Sequence, residues 1–498
     1  MLKTIIKREL LNNILNLRFL IGVVLCLLAT IACIMILARD YRQEMKDYDA
    51  AKNLQEEIIG GEVALKDLYL VEQTLRARKP PERFRLLVVG IPGDEEAEYF
   101  DYNPLPLLFP PLDFLFIVTI IMSLLALLFS YDAITSERQS GTLKLVIANS
   151  ISRAQVLLAK VVGGTVTLLI PFLLALLISV LYLAVHPAIQ WDRSAWAELA
   201  LLTAVAITFI TSFYLLGLMV STFAKYSTIA ILNCLFLWVL LILVVPNVCP
   251  YISAEFYRIP SLREAEGRMG EIQAQQREVE KQSDKVARKM MSEAAEKLRS
   301  QYGPSFSEFE SMSANAAERR AAGDPKFRAM MGAFRKEREK AMEELERIRA
   351  AGASRMEDAK REAALALEDV RRKAALQTKL AKSLACISPY ANFVCVARDL
   401  TGTGLRALGY FAQVKKEYDT QLASYRVKKE KERDAREDNR ELEKTSSLDL
   451  SDRPRFVFKE EPLKDKLGAV LPYWGILVLF NVLFFVAAFA RFMRYDVR

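Results

Sequence analysis

Histidine is almost missing from this chain: 498 residues contain one, His186. A single imidazole cannot build a multi-histidine metal cluster or a Ser–His nucleophile pair without other partners, so those designs are excluded. No G-x-x-x-x-G-K-[ST] stretch occurs either, so the chain carries no P-loop for nucleotide phosphates. Charge is missing where it would matter most for an ion-coupled carrier. Six apolar runs, Phe19 to Leu37, Phe114 to Tyr131, Val161 to Val185, Leu199 to Phe223, Ser227 to Val248 and Leu467 to Ala490, hold no ionisable residue in their interiors. A carrier driven by protons or ions keeps such groups at membrane depth, so any pumping here must draw its energy from elsewhere. Cysteine is sparse as well, at six. Cys26, Cys33 and Cys234 fall inside apolar runs and read as small apolar residues.

What is present is hydrophobic length. Each run has about 18 to 25 residues, enough to span roughly 30 Å of hydrocarbon as a helix. Charge then sets the orientation. Twelve basic residues, Lys3, Lys7, Arg8, Arg18, Arg138, Lys144, Arg153, Lys160, Lys225, Arg491, Arg494 and Arg498, stand on one side against Glu9, Asp132, Glu137 and Asp496, which accounts for the whole net charge of +8. By the positive-inside tendency that side is cytoplasmic, and a bacterial inner-membrane protein with both termini inside is expected. The basic balance therefore reflects topology, and no nucleic-acid partner is needed to explain it.

The expected fold is an all-α integral membrane protein with six transmembrane helices. In order it has a cytoplasmic interfacial helix (1–15), TM1 (16–37), an extracytoplasmic domain (38–113), TM2 (114–131), a cytoplasmic coupling-helix region (132–160) and TM3 (161–185). TM4 (199–223), TM5 (227–248), an extracytoplasmic stalk (249–466), TM6 (467–490) and a cytoplasmic tail (491–498) follow. The stalk is charged and helical in pattern, with Phe334, Ala341, Leu345, Ile348, Met356, Ala359, Ala363, Val370, Ala374, Ala381 and Leu384 at three- and four-residue steps. A continuous helix there would be roughly 90 Å long, and an antiparallel, coiled-coil-like hairpin would bury its apolar stripe. Phe411, Val414, Tyr418, Leu422 and Tyr425 start a further helix. Ser388, Pro389 and Gly402 delimit a short one by cap chemistry. Cys249, Cys386 and Cys395 fall on the outer side, where an oxidising compartment permits one disulfide among them and leaves one thiol.

The polar bridge SYDAITSERQSGTLKLVIANSISRAQVLLAKVVGG, Ser130 to Gly164, is longer than a plain connection requires. It turns at Ser140 and Gly141, continues as a short amphipathic helix through Leu143, Leu145, Val146 and Ile147, and turns again at Asn149 and Ser150. Such a shape presents a rigid element for docking.

Residues 112–164 resemble the second and third membrane helices and intervening coupling helix of ABC-2 type ABC transporter permeases. Glu137, Gly141, Thr142 and Leu143 stand at that family's E-x-x-x-G-T-L pattern, and Ser152, Arg153 and Lys160 match the positions that follow. GLMVSTFAKYSTIAI with Trp238 and Pro246 resembles the fourth and fifth helices. RKPPERFRLLVVGI, SPYANF and FARFMRYDVR are similar to the multi-copper enzyme maturation permease subgroup. The resemblance implies a non-enzymatic membrane subunit of an exporter, paired with a second permease copy or paralogue. ATP and Mg would bind on a separate ATPase subunit, and no cofactor is expected on this chain. Glu137, Arg138, Gly141, Thr142, Leu143, Ser150 and Arg153 would form the ATPase-coupling site, with Glu137 and Arg153 as salt links and Gly141 permitting a tight turn or close approach. The stalk exceeds a minimal permease and leaves a second reading: a complex that uses the same ATPase to act on an extracytoplasmic protein partner without moving a solute.

Overall fold

The computed structural model describes residues 2–60, 77–90, 111–143, 152–185, 191–259, 262–304, 306, 323–438, 452 and 454–494, and no strand occurs among them. Six helices are long and apolar enough to cross a membrane, and the protein is an all-α integral membrane protein. The chain divides into a bundle unit, Met1–Cys249 with Lys382–Arg498, and a second unit, Pro250–Ala381.

In the bundle unit α1 (Leu2–Ile14) leads into α2 (Leu17–Gly60). The second crossing is built from α3 (Phe114–Phe116), a π-helical turn (Ile117–Met122) and α4 (Ser123–Ser130), with α5 (Thr135–Gln139) beyond it. Then come α6 (Arg153–Val185), α7 (Arg193–Phe223) and α8 (Ser227–Trp238), the last running through a second π-helical turn (Val239–Val244) into α9 (Val245–Phe256), whose residues from Pro250 onward belong to the second unit. The unit closes with α12 (Pro389–Thr401), α13 (Leu405–Asp438) and α14 (Leu463–Met493).

Helix α7 is the central post, with Val205, Ala206, Phe209 and Ile210 fully buried where it meets α4, α12 and α14. Residues that face outward on α2, α8 and α14, such as Leu28, Leu232 and Leu479, are apolar too. Lipid tails are as apolar as leucine, so association rests on close packing and interhelical hydrogen bonds rather than on hydrophobic burial. Gly164 supplies the closest approach: a Cβ there would lie 2.1 Å from the Tyr214 hydroxyl. Asn481 Nδ2 donates to the Thr208 carbonyl at 3.1 Å and to Ser212 Oγ at 2.8 Å, and Trp474 Nε1 donates to Thr208 Oγ1, joining α14 to α7.

The two π-helical turns are linked. Trp238, which precedes the second turn, donates through Nε1 to Ser123 Oγ, just past the first, at 2.8 Å. A π turn shifts the hydrogen-bond ladder by one residue. Within the second turn the Leu241 carbonyl accepts the Ser388 hydroxyl. Ser388 Oγ in turn caps α12 by accepting from the Tyr390 and Ala391 N–H groups, and Gly402 ends the helix at φ 72°, as the sequence predicts.

The second unit holds α10 (Leu262–Tyr302) and most of α11 (Pro325–Ala385). They meet near their join, where Leu298, Phe306, Phe327 and Met330 form a small buried cluster and Lys297 faces Glu337 at 3.6 Å. Ala341, Leu345 and Val370 of the expected stripe are buried. Helix α13 differs from a plain stalk helix. Its Phe411 and Tyr418 pack edge-on against Phe456 and Phe458 of the returning extended segment, and Tyr425 donates to Asp452.

The disulfide anticipated among Cys249, Cys386 and Cys395 is not formed: all three are free thiols, and Cys386 donates to the Lys382 carbonyl instead. His186 lies outside the described residues.

Candidate functional site

The polar bridge leaves α4 at Ser130 and immediately turns back on the bundle. Ser221 Oγ on α7 accepts the backbone N–H groups of Ile134 at 3.0 Å and Thr135 at 3.2 Å, which fixes the start of α5. Ser227 at the head of α8 donates to Gln139 Oε1 at 2.8 Å, which fixes its end. Beyond α5, Gly141 adopts a left-handed φ of 72° that side chains with a Cβ avoid. A Cβ there would meet nothing within 4 Å, so the glycine serves the turn and not a close approach. Ser140 and Thr142 exchange a hydroxyl hydrogen bond at 2.8 Å across it. Ser136, Gln139, Ser140, Gly141 and Thr142 form an exposed knuckle, with Leu143 fully buried beneath. Ser150 lies outside the described residues, as does the rest of 144–151.

The charged residues of the predicted set are turned inward. Glu137 pairs with Lys160 at 2.7 Å, and the same Nζ reaches Glu9 of α1 at 3.1 Å. Lys160 is 4% exposed, so one buried ammonium ties α1, α5 and α6 together. The backbone carbonyl of Lys160 also accepts the Tyr214 hydroxyl at 2.8 Å, adding α7. Arg138 donates to the Ala224 and Thr222 carbonyls at 2.9 and 3.3 Å, neutralising the C-terminal end of α7. Arg153 does the same for α14 through the Met493 carbonyl at 2.8 Å. Arg18 pairs with Asp132 at 2.8 Å and lies 5.3 Å from the Tyr131 ring centre.

Sequence reasoning placed Glu137, Arg138, Gly141, Thr142, Leu143 and Arg153 in one region; the structure sets the first five on the stretch from α5 to Leu143, and Arg153 at the head of α6 on the Met493 carbonyl. It missed Glu9, Ser221 and the bridging position of Lys160. The signal was present in Gly163 and Gly164, one helical turn past Lys160, where α1 and Tyr214 approach the α6 backbone.

The opposite end of the bundle holds a second buried ion pair, Glu198 with Lys466 at 2.8 Å; both are 4% exposed. The Lys466 ammonium also donates to the Leu400 carbonyl at 3.3 Å. Around it Arg83 bridges Asp192 at 2.7 Å and Glu460 at 2.9 Å, and Phe84 sets its ring edge-on to Trp191. Segment 77–90 is thereby wedged into this end, with Phe84, Leu87 and Val88 buried.

Asp113 anchors that wedge. Its carboxylate accepts the Phe116 N–H at 2.8 Å and the Val89 N–H at 3.1 Å. Burial pushes its pKa from 3.8 up to about 6, against the pull of those two N–H groups and of Arg398. A group with a higher pKa in the folded state contributes stability that is complete below its unfolded value and is lost as pH rises through the folded one. Raising the pH from about 4 to about 7 is therefore expected to lower the melting midpoint of the native chain more than that of Asp113→Asn, which cannot ionise. Melting curves of both proteins in detergent across that range check it.

Six apolar helices, with paired charges buried at both ends of the bundle, define a multi-pass membrane protein. Residues 3–497 match the family model of the ABC-2 family transporter proteins, and the chain belongs to that family as a permease membrane component. It is also similar to the probable ABC transporter permease protein NosY of Stutzerimonas stutzeri, 38% identical over 82 residues. That alignment spans 16% of this chain and 29% of the relative.

Proposed function

We propose that the chain is the membrane subunit of an ATP-driven exporter and that its polar bridge receives a separately encoded ATPase. One observation carries the reading. The knuckle Ser140–Gly141–Thr142 is exposed, while its base is pinned to other helices through Ser221, Ser227, Arg138 and the Glu137–Lys160–Glu9 cluster. A loop needed only for connection would not require so many anchors; a lever does. In this reading the knuckle, both termini and segment 132–160 face the cytoplasm of a bacterial inner membrane. Segments 38–113 and 249–466 face outward, and a second permease chain completes the assembly. ATP-driven closure of the ATPase pushes the knuckle, and the anchors pass the displacement to α1, α6, α7 and α8 as a rigid-body shift. Glu137, Arg138 and Arg153 act as struts within the permease and not as salt links to the ATPase.

Thr142→Arg places a bulky charge on the exposed knuckle and gives up only exposed hydroxyl contacts, to Ser140 and to the Glu137 carbonyl, leaving the side-chain anchors in place. It is expected to abolish co-purification of the ATPase and permease-stimulated ATP hydrolysis, with the melting midpoint unchanged. Full association in that variant would overturn the docking site.

A second reading is favoured by helix length. Helices α10 and α11 have 41 and 61 residues, about 60 and 90 Å at 1.5 Å per residue. A pair of that reach suits force applied to an extracytoplasmic partner without a transported solute. ATP hydrolysis in vesicles that moves no solute, combined with recovery of a protein bound to 262–385, would select it.

A further inference from the structure

Helix α1 has two faces with separate duties. Its single acid, Glu9, is turned toward Lys160, and Ile6, Glu9 and Leu10 sit against α6 at Gly163. The outward face carries Lys3, Thr4, Lys7, Arg8, Leu11 and Asn12, with Leu15 just past the helix end, all exposed. Lys3, Lys7 and Arg8 follow helical spacing, so the three cations cluster on about two turns. No acid shares that face, and none of the three makes an ion pair among the described residues.

The surroundings say what covers it. Leu11 and Leu15, 47% and 81% exposed, lead straight into Leu17, Leu20, Ile21, Val24 and Leu25 on the outward side of α2. Helix α2 is long and apolar enough to cross a membrane, so its outward face meets acyl chains. The cations of α1 therefore stand just past the acyl-chain boundary, at the level of lipid phosphates. Lys and Arg reach that level by laying their aliphatic stems along the apolar surface. An acidic soluble protein on the same face would have to cover Leu11 and Leu15, which lie at the edge of the membrane.

We propose that the outward face of α1 is a binding site for the headgroups of anionic phospholipids, held by Lys3, Lys7 and Arg8. Arg8 can engage two phosphate oxygens at once, and the lysines add compact positive charge. Occupancy would also fix Glu9, and through Lys160 the base of the knuckle. The lipid site rests on the membrane-spanning bundle alone; only this last consequence rests on the proposed coupling role.

The test uses the purified full chain without the ATPase, in nanodiscs of phosphatidylcholine alone or of phosphatidylcholine with about 30% phosphatidylglycerol. Native mass spectrometry reads the lipids retained on extraction, and a melting curve reads stability. The native chain is expected to retain phosphatidylglycerol selectively and to melt higher in its presence. In Lys3→Gln/Lys7→Gln/Arg8→Gln that selectivity is expected to fall roughly fivefold per cation removed, and the melting shift to vanish. The charge-conserving Lys3→Arg/Lys7→Arg/Arg8→Lys variant keeps both. Equal retention in the glutamine variant overturns the proposal. Displacement of the lipid by soluble glycerol phosphate at matched concentration also overturns it, because the site would then take the free phosphate. If the glutamine variant keeps phosphatidylglycerol in this assay but, in a separate preparation made with the ATPase, loses that subunit on co-purification, the face belongs to a protein partner and the proposal fails. Thr142→Arg is expected to retain lipid normally, so failure of the docking reading stays distinguishable.

Discussion

Replacing Lys160 with methionine is expected to destabilise the bundle by about 3–5 kcal/mol, the range found when one partner of a buried ion pair is removed. Methionine keeps the volume of the stem, so the loss isolates the charge. Two carboxylates, Glu9 and Glu137, would then face each other without the ammonium that lies 3.1 and 2.7 Å from them. The two acids converge on one nitrogen and repel once it is gone, a repulsion that water screens in part because their side chains keep 22% and 28% of their exposure. Thermal unfolding in detergent reads the effect, and Lys160→Met/Glu9→Gln/Glu137→Gln is expected to recover most of it, because no uncompensated charge remains. If Lys160→Met melts like the native chain, the ammonium is not the tie between α1, α5 and α6. Permease-stimulated ATP hydrolysis supplies a second readout: the single variant loses stimulation, and the triple variant regains stability without regaining it.

The second large effect belongs to the other end. Glu198→Ala leaves the buried Lys466 ammonium with the Leu400 carbonyl as its hydrogen-bond partner, and a cost of about 3–5 kcal/mol is again expected. Glu198→Gln/Lys466→Met, which removes both charges at nearly constant volume, is expected to sit close to the native midpoint. The two pairs share no residue, so the losses from Lys160→Met and Glu198→Ala are expected to add within about 0.5 kcal/mol. A strongly non-additive pair would mean that the two ends of the bundle are energetically coupled through the helices between them.

Much of the fold is legible because the bilayer demands it. Hydrocarbon leaves helices as the economical way to satisfy the backbone, so six uncharged runs translate directly into six helices. The cap chemistry of Ser388, Pro389 and Gly402 is equally local and equally readable. The charges were the difficulty. Lys160, Glu198 and Lys466 each stand one residue outside an apolar run, the place where a solvated flanking charge is normal. Nothing local separates such a residue from a buried, paired one, since the partners lie 23, 151 and 268 residues away in sequence. Glu137 shows the same limit within a recognised motif. Its position was legible, but the direction of its side chain depends on Lys160 and on the glycines that bring α1 close. The thiol state of Cys249, Cys386 and Cys395 likewise depends on geometry that spacing does not encode.

Helix α2 has 44 residues and so measures about 66 Å, twice the thickness of the hydrocarbon it can cross. Its first half is apolar enough to cross that hydrocarbon, and from Arg39 onward it is polar and charged, with Glu44 paired to Arg85 at 2.7 Å. A rod of that length magnifies small rotations: tilting it by about 5° sweeps the tip through roughly 6 Å. A slight rocking at its foot, beside Arg18 and Asp132, would therefore be felt at the top as a displacement wider than a helical turn is tall.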